Sequence, residues 1–178
     1  RCARVPSGRR RTADQALPFL ERARRAQPHD LQTTQAIAQA YLTIGSPVAV
    51  DSALRAARQF AQDHPTAAAL GWLGTLEEGA GRHQAKSEGL EAAIGAWEQA
   101  AKLAPHAVLY PQQLARACRD MNEPSRASRW AQAALLNDAN CRLDPLAGLS
   151  PTAKAEMEAI VKAGTTSVGK PEQTPGGP

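Results

Sequence analysis

Residues 93–105 read AIGAWEQAAKLAP, and this stretch decides the fold. Ala93, Trp97 and Ala100 are separated by four and then three positions, so in an α-helix they lie on one face. Pro105 follows five positions later, where its missing N–H and its ring end the helix. The stretch therefore predicts a helix that buries two small side chains and one large aromatic ring on a single face.

The same spacing occurs three more times along the chain. Each copy has a small residue followed by positions +4, +7 and +12, and position +12 is proline in three of the four copies. The other copies are Ala16-Leu20-Ala23-Pro28, Ala53-Ala57-Phe60-Pro65 and Ala127-Ala131-Ala134-Ala139. Along the whole series the leading alanines are 37, 40 and 34 residues apart. A period of this length is typical of helical repeat proteins.

A second pattern lies between the copies. In each interval a large residue is directly followed by a small one, at nearly the same distance from the preceding proline. The pairs are Ile37-Ala38, Leu73-Gly74 and Leu114-Ala115. The small residue allows the two helices of a pair to cross closely, so we expect an alternation of first and second helices.

With these residues the sequence resembles the tetratricopeptide repeat family, whose 34-residue unit is a helix, a turn and a second helix. Ile37-Ala38-x-x-Tyr41 and Leu73-Gly74 are similar to the first-helix signature, and Ala93–Pro105 is similar to the second. The resemblance covers roughly residues 13–140. It departs from the family in having no first-helix tryptophan at the usual place, and in insertions within 43–50 and 79–89. The resemblance implies an all-α solenoid of antiparallel helix pairs, with about 3.5 repeats and a C-terminal capping helix.

Local start and stop signals predict where the helices lie. Ser46 and Ser150, each before a proline, together with Thr66 and Asn122, are predicted N-caps. Gly45, Gly79, Gly81 and Gly164 are predicted helix ends. The predicted helices are 13–26, 31–44, 47–63, 66–79, 85–103, 107–121, 124–137 and 151–163. In the last of them, Ala153, Met157, Ile160 and Val161 form an apolar face while Lys154, Glu156, Glu158 and Lys162 look outward.

These elements predict four segments. Residues 1–12 are a basic N-terminal arm, and residues 13–140 are the helical repeat domain. Residues 141–164 are a link and a capping helix, because terminal repeats need a cover for their apolar face. Residues 165–178 are rich in Gly, Pro, Ser and Thr, so we expect a flexible tail.

The net charge of +4 is unevenly distributed. Basic residues concentrate in the first thirty positions, and the arm contributes Arg4, Arg9, Arg10 and Arg11. Such an arm suits nucleic acid, an anionic membrane surface or an acidic partner. The alternative is a solvated tail that binds nothing.

Composition limits the compartment without identifying it. No stretch approaches the ~18 uninterrupted apolar residues of a membrane span, and the first residues lack the apolar segment of a signal peptide. We therefore expect a soluble protein, cytoplasmic or, if a leader was removed, periplasmic. The alanine- and arginine-rich composition suggests a bacterial chain.

The sequence contains no catalytic motif, so we predict no catalytic residue, no cofactor and no bound metal. Cys2, Cys118 and Cys141 form no C-x-x-C pair, which argues against a disulfide framework or a zinc cluster. Cys118 falls on a packing face, Cys141 is a possible free thiol, and Cys2 is a possible lipid attachment point. Adjacent Glu77 and Glu78 are expected at a solvated helix end.

The histidines follow the repeat. His29, His64 and His106 each flank a turn proline, so we expect them to fill turns, spaced along one edge by ~10 Å or more at ordinary helix packing distances. At that spacing they are too far apart to share a metal. His83 lies in the second insertion and is expected to be exposed.

The resemblance implies that first helices line a concave binding surface. The residues it assigns to that face are Gln32, Gln35, Gln39, Trp72, Thr75, Gln112, Gln113, Arg116 and Arg119. Glutamine and arginine around an aromatic ring suit an extended peptide or a helix. The face has no lysine or asparagine, so the carboxylate clamp of chaperone-binding family members is disfavoured. An ordinary polar helix surface remains the alternative.

Three functional hypotheses follow. The first is a non-enzymatic scaffold, an accessory subunit that docks on a larger protein assembly. The second is a regulatory module that uses the arginine arm to bind nucleic acid or an anionic membrane surface. The third is the repeat domain of a longer enzyme. Self-association through alanine-rich faces stays open.

Overall fold

The structure is a computed structural model that describes residues 7–84, 87–141 and 148–167. Eight α-helices account for most of this part of the chain, and no strand occurs in it. They are α1 (Ser7–Ala26), α2 (Leu31–Ile44), α3 (Pro47–Asp63), α4 (Ala67–Gln84), α5 (Ser87–Leu103), α6 (Leu109–Asp120), α7 (Pro124–Asn140) and α8 (Pro151–Ser167). The all-α class expected from the repeat pattern is confirmed.

The predicted caps that begin helices are largely confirmed. The hydroxyls of Ser46, Thr66 and Ser150 each accept a hydrogen bond from the backbone N–H three residues later, at 3.2 Å in every case. Each cap satisfies one of the N–H groups that have no partner within the helix. Gly45 ends α2 in the left-handed region, with φ of 69°, a conformation that glycine adopts without a Cβ penalty.

The prediction for Asn122 is wrong. Its φ is 59°, and it closes α6 instead of opening α7. The N–H of Asn122 donates to the carbonyl of Arg119, and the N–H of Glu123 donates back to the carbonyl of Cys118, each at 2.9 Å. Asparagine tolerates the left-handed region, so it serves here as a C-terminal helix stop.

Four helices are longer than predicted, and one of them is α7, which continues three residues further to Asn140. α1 begins at Ser7, six residues before its predicted start, so part of the segment predicted as an arm is helical. α4 continues through Gly79 and Gly81, which were predicted to stop it. α8 runs through Gly164 to Ser167, into the segment predicted as a tail. Residues 168–178 lie outside the described residues.

The helices fall into two compact units, Arg1–Ala96 and Trp97–Pro178, with the division inside α5. In the first unit α1 packs on α2, α2 on α3 and α3 on α4. In the second, α6 packs on α7, and α8 packs on α7 while touching α6. Each unit is therefore a succession of antiparallel helix neighbours, the arrangement of a helical repeat.

The repeat positions form the core. Ala53, Ala57, Ala93 and Ala100 are fully buried, and so are Ala127, Ala131 and Ala134 in α7. Trp97 is the largest fully buried side chain. The face of α1 is only partly covered, with Ala16 and Leu20 half-buried and Ala23 exposed, because α1 packs mainly on one neighbour, α2.

Helix α8 covers α7 as the sequence pattern predicts. Ala153, Met157 and Ile160 are buried, whereas Val161 is half-buried. Gly164 lies so close to α7 that a Cβ on it would fall 2.4 Å from Cβ of Ser128. This glycine therefore permits close helix approach instead of ending α8.

Two glycines likewise set the crossing of α4 and the start of α5. A Cβ added to Gly89 would lie 2.5 Å from Cα of Gly81 and 2.9 Å from the carbonyl oxygen of Glu77. Both contacts are with backbone, which cannot rotate away. Gly81 is thus a packing residue, and its role depends on a partner eight positions further along the chain.

Replacing Gly89 by alanine should separate α4 from α5. We expect Gly89→Ala to lower the free energy of unfolding by about 1–3 kcal/mol, the usual cost of forcing extra volume into a packed site. Gly95 on the same helix has nothing within 4 Å of an added Cβ, so Gly95→Ala should instead stabilise by about 0.5–1 kcal/mol through helix propensity. Urea unfolding followed by circular dichroism measures both, and equal effects of the two changes would contradict the close crossing.

Candidate functional site

Helix α2 presents amides on the side opposite its buried residues. Ile37 and Ala38 are almost fully buried, while Gln32 and Gln39 are exposed and Gln35 is half-buried. The start of α2 is fixed by Asp30, whose carboxylate accepts from the N–H of Gln32 at 3.1 Å and from that of Thr33 at 3.0 Å. These contacts lower the pKa of Asp30, the hydroxyl of Thr33 being the strongest contributor. The glutamines are therefore held on an anchored helix.

Helix α4 contributes the aromatic candidate. Trp72 is half-buried and Thr75 is exposed. The Thr75 hydroxyl donates to the carbonyl of Gly71 at 3.1 Å, so it is bonded within its own helix. Trp130 is half-buried in α7, and its Nε1 is shielded from solvent with no acceptor among the described residues.

The arginines predicted on α6 are held by α8. Arg116 donates through Nε and Nη2 to one carboxylate oxygen of Glu156, at 2.9 and 2.6 Å. Arg119 donates through Nη1 to the other oxygen at 2.7 Å, and Arg119 also bonds Asp120. Glu156 was expected to face solvent, but it bridges both arginines because α8 lies against this end of α6. An acidic ligand at this position has to compete with Glu156.

This bridge makes the stability of the second unit depend on pH. Hydrogen bonds from Arg116, and then from Arg119, hold the pKa of Glu156 below its ordinary value of 4.5. A carboxyl whose pKa is lowered on folding stabilises the fold at pH values above its ordinary pKa. That contribution is lost as pH falls through the lowered value, since the folded state must then take up the proton.

We therefore expect Glu156→Gln to lower the free energy of unfolding by about 1 kcal/mol at pH 7, as for a partly exposed charge network. The difference from the unaltered protein should shrink below pH 4.5 and vanish at still lower pH. Glu158→Gln, at an exposed position of the same helix, should have little effect at any pH. Urea unfolding at several pH values measures this, and a pH-independent effect of Glu156→Gln would contradict the bridge.

The first unit also contains a charged groove that the sequence did not predict. It encloses about 500 Å³ and is lined by residues of α3, α4 and the start of α5. The lining residues are Val48, Asp51, Leu54, Arg55, Arg58, Glu77, Ala80, Gly81, Glu88, Gly89 and Ala92. Among these residues, the apolar Val48 is 72% exposed to solvent. One sequence pattern could have indicated the groove. In α3, residues outside the core positions recur every three or four positions and so form a stripe along the helix.

An ion pair lies in this groove. Arg58 grips both carboxylate oxygens of Glu77, with Nη2 2.9 Å from Oε2 and Nε bonded to Oε1. Glu77 is only 3% exposed, so its predicted place at a solvated helix end is wrong; Glu78 instead pairs with Arg82. The hydrogen bonds to Glu77 raise the pKa of Arg58. A buried carboxylate without a bidentate partner would be costly, so Arg58 fixes α3 to α4.

The basic residues predicted as an arm are only partly described. Arg4 lies outside the described residues, and Arg9 lies in α1 with its side chain outside them. Arg10 and Arg11 are exposed on α1. Arg10 reaches the C-terminal end of α2, where Nη2 would be 3.9 Å from a Cβ on Gly45. A cation is favoured there by the helix dipole.

The predicted separation of the histidines is wrong for two of them. Nδ1 of His29 and Nε2 of His64 are 2.9 Å apart, not ~10 Å or more as helix packing distances suggested. Their rings meet edge to face with centroids 4.5 Å apart, and His64 also contacts Phe60. His106 is exposed, and the side chain of His83 lies outside the described residues. The turn before α2 and the turn after α3 therefore touch through their histidines.

The described cysteines differ in their exposure to solvent. Cys118 is fully buried, as predicted, and burial raises the pKa of its thiol to about 11. Cys141 is half-buried and free. Cys2 lies outside the described residues. Since the thiolate is the reactive form, Cys118 is inert in the folded protein.

A thiol reagent should distinguish the two in a Cys2→Ser background. At pH 8 only about one thiol in a thousand of Cys118 is ionised, given a pKa of about 11. We expect Ellman's reagent to label one thiol in the folded protein and two after unfolding in guanidinium. Adding Cys141→Ser should remove the reactive thiol of the folded state. Rapid labelling that survives this change would contradict the buried placement of Cys118.

In the described part of the chain, no group of three or more His, Cys, Asp and Glu side chains is arranged to hold a metal ion. Nor does any helix there have the length and apolar character needed to cross a membrane.

Comparison with known proteins gives a fold but no family. No protein-family model matches the chain, and no curated protein matches it. Among solved structures, a crystal structure of MamA has a TM-score of 0.56 at 18% identity, covering 88% of this chain and 88% of that one. A second crystal structure of MamA protein has a TM-score of 0.55 at 17% identity, covering 92% of this chain and 90% of that one. MamA is an all-helical, tetratricopeptide-like protein, so the chain shares a helical-repeat fold.

Proposed function

We propose that this protein is a non-enzymatic scaffold for protein–protein interaction, an accessory subunit that docks on a larger protein assembly. Repeat folds bury their own helix faces in series and keep an extended surface for a partner. The likeness to MamA supports the fold on which this proposal rests.

The observation that carries the proposal is the polar face of α2. Gln32 and Gln39 are exposed on a helix whose opposite side is anchored by the fully buried Ile37 and Ala38. A side-chain amide both donates and accepts hydrogen bonds, so a row of glutamines can pair with the backbone of a bound segment. Because the helix is fixed, little backbone order has to be gained on binding.

Further candidates lie in each of the two units. In the first unit, Trp72 and Thr75 on α4 offer an aromatic surface and a hydroxyl. In the second unit, Gln112 and Gln113 on α6 are half-buried. Arg116 and Arg119, also in the second unit, can contact a ligand only if it displaces Glu156 or shares its bridge. We therefore assign the main contact to amides and aromatic surface, and not to a carboxylate clamp.

The arginine-based alternative has less support. The side chain of Arg10 reaches from α1 to the C-terminal end of α2, and Arg24 is paired with Glu21 at 2.8 Å. Binding of nucleic acid through the remaining arginines would be steeply salt-dependent, since each phosphate contact releases counterions.

The test is affinity capture from the native source with mass spectrometry, at low and high salt, using paired variants. Gln32→Glu with Gln39→Glu changes the α2 face. Gln62→Glu with Gln99→Glu makes the same change at exposed positions of α3 and α5. We expect one stoichiometric set of proteins that survives high salt, is retained by the α3/α5 control and is depleted about tenfold or more by the α2 variant.

Other outcomes contradict the proposal. Equal capture by both variants would remove the α2 face from the interface. Recovery of nucleic acid that washes off with salt would favour the arginine-based function. Circular dichroism of both variants confirms that a loss of capture is not a loss of fold.

A further inference from the structure

The contact between His29 and His64 is not used by the proposed function. It joins the turn that precedes α2 to the turn that follows α3, which are 35 residues apart in sequence. His29 is exposed and His64 is half-buried, so solvent reaches the pair. His64 is also oriented by its edge contact with Phe60, at 5.0 Å between ring centroids.

The distance between the two nitrogens suits a shared metal ion. Nδ1 of His29 and Nε2 of His64 are separated by 2.9 Å. Imidazole nitrogens bind such ions at about 2.0–2.1 Å. Two nitrogens at that distance from one ion are about 2.9 Å apart at a right angle and about 3.4 Å apart at the tetrahedral angle. The observed spacing is the right-angle one, typical of square-planar or tetragonal Cu²⁺ and Ni²⁺ sites.

We propose that His29 and His64 form a two-imidazole site for a divalent transition-metal ion of the Cu²⁺ and Ni²⁺ class. The two rings supply adjacent coordination positions, and water fills the others. Neutral imidazole is the ligand form. The ring that donates its N–H to the other in the metal-free pair moves that proton to its second nitrogen by exchange with solvent. Binding to two neutral rings therefore releases no net proton.

A bound ion would link the turn before α2 to the turn after α3 within the first unit. In the metal-free protein a single hydrogen bond joins the two exposed turns, and such bonds contribute only about 0.5–1.5 kcal/mol. Two metal–nitrogen bonds replace it and act only in the folded state, because the two rings come together on folding. Binding to the folded state alone raises stability in proportion to the logarithm of metal concentration over the dissociation constant. This inference does not depend on the proposed function.

The chain supplies a matched control. His106 occupies the corresponding turn after Pro105 and is exposed, but it has no second imidazole beside it among the described residues. The experiment uses the untagged full chain in a Cys2→Ser, Cys141→Ser background, since thiols also bind these ions. Isothermal titration with NiCl₂ and ZnCl₂ is run on this background and on three variants, His29→Gln, His64→Gln and His106→Gln. Thermal unfolding with and without Ni²⁺ gives a second readout.

We expect the background protein and His106→Gln to bind one Ni²⁺ with equal affinity, and more tightly than Zn²⁺. Both His29→Gln and His64→Gln should weaken Ni²⁺ binding at least about tenfold and abolish the rise in unfolding temperature. Because His29 is exposed, its variant should fold even if loss of the Phe60 contact perturbs His64→Gln. Equal binding by all four proteins, or a loss in His64→Gln alone, would overturn the site. Tighter binding of Zn²⁺ than of Ni²⁺ would overturn the right-angle assignment.

Discussion

Close approach between helices is the constraint on which the rest of this structure depends. The packing face of α7 is built from Ala127, Ala131 and Ala134, all fully buried. An alanine side chain removes little apolar area from water, and burial contributes roughly 25 cal/mol per Å². Such a face stabilises the fold only if the neighbouring helix comes near enough for backbone and Cβ atoms to make dense contacts. At the crossings of α4 with α5 and of α8 with α7, glycines allow the closest approach, because they have no Cβ.

This constraint explains which parts of the fold the sequence predicts well. The bounds of α2 and α3 agree with prediction, because Asp30, Ser46, Gly45 and the adjacent prolines act within one turn of the helix they begin or end. The apolar face of α8 is predicted equally well, because Met157 and Ile160 recur at helical spacing. Local chemistry and periodicity suffice wherever the deciding partner is a neighbour in sequence.

The errors occur where the deciding partner is distant. A glycine such as Gly81 can either end a helix or allow a second helix to pack closely against it. Only the position of Gly89 shows which of these two roles Gly81 has. Glu156 looks solvent-facing by periodicity, but Arg116 stands 40 residues earlier and reaches it across the helix pair. Glu77 is hydrogen-bonded by Arg58, which lies 19 residues earlier in the sequence. For the histidines, the general spacing of repeats was a poor guide, because turn conformation sets where a side chain at the tip of a repeat points.

The two candidate surfaces of the first unit differ in the partner chemistry they can distinguish. The amides of α2 carry no charge and can hydrogen-bond to any exposed peptide backbone. They therefore select a partner by its shape and by the register of its hydrogen-bonding groups. The groove of α3, α4 and α5 carries charges of both signs, and the best buried of them, Glu77, is already satisfied by Arg58. A partner in the groove gains little by competing with that pair, and its contacts with the exposed Asp51 and Arg55 would be screened by salt. An association that persists at high salt is therefore better explained by the face of α2 than by the groove.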